Sequence, residues 1–191
     1  MTPVHALKRF VPMVGLVFAA SCGYNTIQTY DEQVNAAASQ IKVQLQRRAD
    51  LIPNLVETVK AYAKQEQTVF TEVAEARAKL AGAVQSGNLE QMAEANRQLT
   101  APLGRLLAIA ENYPQLKSNE NFRALQDQLE GTENRIAVAR QDYNEAVARY
   151  NAYIRRFPQV LTAKVLGKGP RPYFELETPG AAQAPKVDFS K

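Results

Sequence analysis

From Phe122 to Phe157 the chain repeats apolar or small residues at alternating steps of three and four. The series is Phe122, Leu125, Leu129, Thr132, Ile136, Ala139, Tyr143, Ala146, Tyr150, Tyr153 and Phe157. Such steps keep side chains on one face of a helix, so the pattern predicts a packing seam about five heptads long. A helix stop and restart precede it, in Glu111-Asn112-Tyr113-Pro114 and then Asn119-Glu120-Asn121-Phe122. A seam of this length has to be buried against other helices. The expected fold is therefore all-α: an antiparallel four-helix bundle with long helices.

The other helices follow from the same periodicity. A first helix is expected from near Thr26 to Arg48, with Tyr30, Val34, Ala37, Ile41 and Leu45 on its inner face. Pro53 lacks an N–H and clashes one turn back inside a helix. It therefore predicts a reversal over Ala49–Asn54, with Asp50 capping a second helix; one long helix kinked at Pro53 is the alternative. The second helix buries Ile52, Leu55, Val59, Tyr62, Phe70, Val73, Leu80 and Val84. Gly87 suits the left-handed position that ends it, and Asn88 with Gln91 resembles a capping box. The third helix carries Leu89, Met92, Asn96, Leu99, Leu103, Leu106, Ala110 and Tyr113, with Pro102 and Gly104 at a kink. Ser118 is expected to cap the fourth helix, which runs to about Thr162. After Leu166, Gly167, Gly169, Pro170, Pro172, Pro179, Gly180 and Pro185 exclude regular helix. Residues 166–191 are expected to form an extended Pro/Gly-rich tail pinned by Tyr173, Phe174, Val187 and Phe189.

Residues 1–21 have the pattern of a lipoprotein-type signal peptide. His5, Lys8 and Arg9 form a basic start, and Phe10 to Ala20 is an apolar run too short to span a bilayer. Ala19, Ala20 and Ser21 lead into Cys22, the only cysteine and the expected lipidation site. An uncleaved amino-terminal helix is the alternative anchor. Both place residues 22–165, the helical domain, outside the cytoplasm, in the periplasm or at the cell surface. Without residues 1–21 the chain holds 21 Lys and Arg against 19 Asp and Glu, a net +2. So small an excess gives no electrostatic footprint for nucleic acid.

Several segments together resemble the LemA family. They are Gln46-Arg47-Arg48-Ala49-Asp50-Leu51-Ile52-Pro53-Asn54-Leu55-Val56, Glu111-Asn112-Tyr113-Pro114, Asn119-Glu120-Asn121-Phe122 and Glu133-Asn134-Arg135-Ile136-Ala137. Ala139-Arg140, Tyr143-Asn144, Tyr150-Asn151, Phe157-Pro158 and Tyr173-Phe174-Glu175 complete the set, in order, over nearly the whole mature chain. The resemblance implies a helical bundle held at a membrane. It implies no defined reaction, and the family's usual uncleaved anchor helix is here replaced by the Cys22 signal.

Residues for catalysis are scarce. The only histidine is His5, and neither HExxH nor CxxC occurs, so no transition-metal site and no cofactor is expected. Ser118 beside Lys117 is better explained as a cap than as a nucleophile. The polar residues near the seams are Arg47, Arg48, Asp50, Asn54, Asn112, Asn134, Arg135 and Arg140. They are expected either to fix helix register through internal pairs or to grip a partner at one end of the bundle. In the first case Asp50→Ala lowers stability. The expected function is that of a non-enzymatic, membrane-anchored interaction or scaffold module for an unidentified envelope protein. A purely structural spacer, or an enzyme using Glu111, Glu120 or Glu133, are the rivals.

Overall fold

A computed structural model describes residues 4–174, with side chains from Gly23 onward. The Cys22 side chain and the tail beyond Phe174, with Val187 and Phe189, lie outside the described residues. The chain is all-α. Its helices are α1 (Val4–Lys60), α2 (Gln67–Ser86), α3 (Leu89–Ile109), α4 (Pro114–Lys117), α5 (Glu120–Ile154) and α6 (Gln159–Val165). Among the described residues no helix is long and apolar enough to cross a membrane.

The expected reversal at Ala49–Asn54 does not occur. α1 continues unbroken through Pro53, so of the two alternatives the chain takes the single long helix. Proline deprives the carbonyl four residues back of its helical donor, and that carbonyl belongs to Ala49. The Arg77 Nε of α2 donates to the Ala49 oxygen at 3.2 Å, so a tertiary contact supplies what the proline removed. Arg77→Met should therefore leave a buried carbonyl unpaired and lower stability by about 1–2 kcal/mol, read as a shift in the urea midpoint.

The true reversal spans residues 61–66, Ala-Tyr-Ala-Lys-Gln-Glu, without a glycine or proline. Tyr62 N and Ala63 N both donate to the Val59 carbonyl, tightening the last turn. Ala63 is buried beneath the corner, and the Tyr62 hydroxyl accepts from Asn119 Nδ2 at 3.1 Å. Elsewhere the local signals hold. Gly87 has φ 71°, and Asn88 Oδ1 accepts from Gln91 N at 3.1 Å. The α5 cap is Asn119, which accepts from Phe122 N at 3.0 Å. Ser118 is not that cap: its hydroxyl donates to the Gln115 carbonyl and ends α4. Asn119 wins because its side chain reaches the N–H three residues on from extended backbone.

α1 and α5 lie antiparallel, since Tyr30 meets Tyr153, Arg48 meets Glu133 and Tyr62 meets Asn119. Ile27, Val34, Ile41, Leu45, Ile52, Leu55 and Val59 of α1 are buried, as are Phe122, Leu129, Ile136, Tyr143 and Tyr150 of α5. The expected seam stops short of Phe157, which lies past the end of α5 and is exposed. α2 and α3 form a hairpin stitched by Arg105 to Glu72 and by Lys79 to Gln98. A 20-residue helix covers about 30 Å, so the hairpin reaches only the part of α1 toward Lys60. The rest of the α1–α5 pair is covered by α6 and by residues 168–174; one polar cluster lies there, and another lies beside α3.

Candidate functional site

Two polar clusters sit on the α1–α5 pair. In the first, Arg48 is buried where α1 passes α3 and α5. Its Nη1 donates to Asn96 Oδ1 of α3 at 2.7 Å and pairs with the Glu133 carboxylate of α5. Its Nε meets no acceptor among the described residues. Burial pulls the Arg48 guanidinium below its ordinary value, and the Glu133 charge opposes that shift. Arg140, two turns further along α5, is pulled the same way by burial against the same opposing charge. It lies over the Phe174 ring at 5.0 Å, a cation–π contact.

The second cluster binds the extended segment 168–174 to the helices. Gly167, at φ 66°, reverses the chain after α6, and Lys168 N donates back to the Ala163 carbonyl. Two Tyr-Asn pairs on α5, seven residues apart, then hold the segment. The Tyr150 hydroxyl donates to the Gly169 carbonyl at 3.2 Å, and Asn151 bonds both the N–H and the carbonyl of Arg171 at 2.8 and 2.9 Å. The Tyr143 hydroxyl donates to the Pro172 carbonyl at 3.1 Å, and Asn144 bonds both backbone groups of Phe174 at 2.8 and 3.1 Å. The spacing has a simple cause. Seven helical residues rise about 10.5 Å and three extended residues span about 10 Å, so the two periods coincide. From α1, the buried Asp31 completes the grip, accepting from Lys168 Nζ at 2.6 Å and from Arg171 Nη2 at 2.8 Å.

Burial raises the Asp31 carboxyl, but the hydrogen bonds and charges of Lys168 and Arg171 outweigh it and leave the group below its ordinary value. Its stabilising contribution is thus present above the unfolded carboxylate value, about 3.9, and is lost as pH falls through the folded value. Burial raises the phenols of Tyr143 and Tyr150. Their contribution is present below about pH 10 and is lost as pH rises through the raised values. Hydrogen-exchange protection of the Arg171 and Phe174 amides is expected to fall at both extremes, the alkaline loss tracking phenolate absorbance. Protection that survives both titrations would contradict the arrangement.

Of the eight polar residues singled out in the sequence, Arg48 pairs with the Glu133 carboxylate, and the charge of that carboxylate also acts on Arg140. Arg47, Asp50, Asn54, Asn112, Asn134 and Arg135 are exposed. Asp50 is no helix cap: it sits inside α1 and accepts from Gln46 Nε2 at 2.8 Å, because the helix does not break there. Asp50→Ala should consequently change the melting free energy by no more than about 0.5 kcal/mol. Tyr143 and Tyr150 of the α5 seam are buried beneath residues 169–172. Asp31, Lys168 and Arg171, together with Asn35, which accepts from Arg171 Nη2 at 3.3 Å, are not among the residues that the sequence singles out. The repeated Tyr-Asn dipeptide at heptad spacing was the one available signal. Of the acids considered for catalysis, Glu111 and Glu120 are exposed at the α3–α5 turn and Glu133 serves Arg48. Among the described residues no three His, Cys, Asp or Glu side chains converge to hold a metal ion.

Comparison with known proteins adds a family. The sequence model of the LemA family matches residues 37–189. Magnetosome proteins MamQ 2 and MamQ 1 of Paramagnetospirillum magneticum AMB-1 are each 30% identical over an alignment of 203 positions, covering 93% of the chain and 75% of the relative. Magnetosome protein MamQ of Magnetospirillum gryphiswaldense MSR-1 is 27% identical over 191 residues, covering 88% and 70% respectively.

Proposed function

The chain belongs to the LemA family, and from that premise we propose that it is a membrane-anchored helical scaffold of the cell envelope. It holds an envelope protein rather than transforming a substrate. One observation carries this reading: the buried charges close on other parts of the same chain. Arg48 meets Glu133, and Asp31 meets Lys168 and Arg171. Buried charge used this way fixes the arrangement of helices. The exposed polar residues of α1 and α5, Arg47, Asp50, Asn54, Asn134 and Arg135, are left for a partner.

Anchoring rests on the segment before Gly23, with Phe10–Ala20 as the apolar run and Cys22 as the acceptor of lipid. The domain then faces away from the cytoplasm, because Lys8 and Arg9 stay inside. Mass spectrometry of the mature amino terminus is expected to show acylated Cys22; an unmodified, uncleaved start would assign the anchor to a helix instead. Photo-crosslinking from positions 47 and 135 in intact cells should trap one recurrent protein. Random, position-independent products would sink the scaffold and leave a structural spacer.

A further inference from the structure

The anchoring just proposed concerns residues before Gly23; resting on that reading, we propose that α6 and the turn leading into it lie on an anionic lipid surface. Leu161 and Val165 are four apart on α6 and share one face of it, and Phe157 stands in the turn leading into that helix. In chain order, from Phe157 to Val165, the three are 80%, 56% and 87% exposed. Single exposed apolar side chains are ordinary, but three large ones within nine residues, two of them on one face of α6, mark a surface that meets something.

Charge identifies what it meets. From Ala146 to Phe174 the chain carries Arg149, Arg155, Arg156, Lys164, Lys168 and Arg171 and no acid. Lys168 and Arg171 are taken by Asp31. Arg155, Arg156 and Lys164 are exposed beside the stripe. Apolar side chains flanked by cations are the composition of helices that lie in a membrane interface, where each cation near an anionic surface adds to the binding.

Position agrees. α6 packs on α1 at Gly23: a Cβ there would stand 3.1 Å from Gln159 Cγ, and Thr162 and Ala163 are buried. Gly23 directly follows Cys22, the residue through which the anchor leaves the domain. The stripe is therefore at the end of the molecule that the anchor holds against the bilayer. A protein partner for the same stripe would need neither that position nor an acid-free stretch of 29 residues.

The chain has no tryptophan, so one introduced indole reports alone. Full-length Phe157→Trp and Val165→Trp would each be reconstituted into vesicles of phosphatidylcholine, with or without phosphatidylglycerol, carrying brominated acyl chains. Val138→Trp, at an exposed position on α5 roughly 24 Å before its end, is the reference. Emission from positions 157 and 165 is expected to shift to the blue and to be quenched several-fold more than from position 138, most strongly with the anionic lipid. Arg155→Glu with Arg156→Glu and Lys164→Glu should abolish the difference between lipids. If the protein floats with the vesicles but positions 157 and 165 are quenched no more than 138, the lipid face is wrong and the anchor stands. If it does not float at all, both fall. A blue shift without vesicles that grows with protein concentration would overturn the lipid assignment and make the stripe an interface between copies.

Discussion

Asp31→Ala is expected to free residues 168–174 and to speed tryptic cleavage after Lys168 on the order of thirtyfold. The magnitude comes from the bonds removed. Asp31 is 6% exposed and receives charge-assisted hydrogen bonds from Lys168 and Arg171. Such bonds contribute about 1.5–3 kcal/mol each when buried. Both cations retain partial access to water, which discounts the sum to about 2–3 kcal/mol. Lys168 is the useful reporter, because Gly169 follows it whereas Pro172 blocks cleavage after Arg171. Asn151→Ala removes two bonds to the Arg171 backbone and should act in the same direction without touching a charge. Equal cleavage rates in the wild type and in Asp31→Ala would mean that the segment is not held as described.

Glu133→Ala should cost more than Arg48→Met, although Glu133 is the more exposed of the two partners. Removing Glu133 leaves Arg48, whose side chain is 6% exposed, with Asn96 as its remaining partner. A buried cation stripped of its carboxylate is expected to cost about 2–3 kcal/mol, or a fall in Tm of roughly 4–10 °C for a chain of this size. Removing Arg48 strands nothing comparable, since Glu133 is 51% exposed and rehydrates. Methionine fills the space of the aliphatic stem, and the unmet Arg48 Nε disappears with the charge. About 1 kcal/mol is expected. Thermal melts of the two variants decide the matter, and a larger loss for Arg48→Met would show that the ion pair is itself a net source of stability.

Where the sequence was readable, the signal was periodic or local. The α5 seam, the buried faces of α2 and α3, and the Gly87–Asn88 stop and start all follow from residues within a few turns of each other. The departures from it share one cause. Pro53 reads as a break because its local effect is to break, and only Arg77, 24 residues on, restores the lost bond. The corner at residues 61–66 carries no turn residue because the buried Ala63 and the packing of α2 back onto α1 make the turn. Asp50 was misread as a cap only because that break was misplaced.

Sequence alone determined that this chain is built of long helices, that one of them carries a seam of about five heptads, and to which family it belongs. Those properties depend on spacing along the chain. Tertiary structure decided where α1 ends, which of the candidate polar residues are buried, and that the segment after Gly167 is strapped to α5 by two Tyr-Asn steps and to α1 by Asp31. Lys168 is 137 residues from the carboxylate it meets. A bond of that reach leaves no periodic trace, because its energy depends on two helices and an extended segment arriving at the same place.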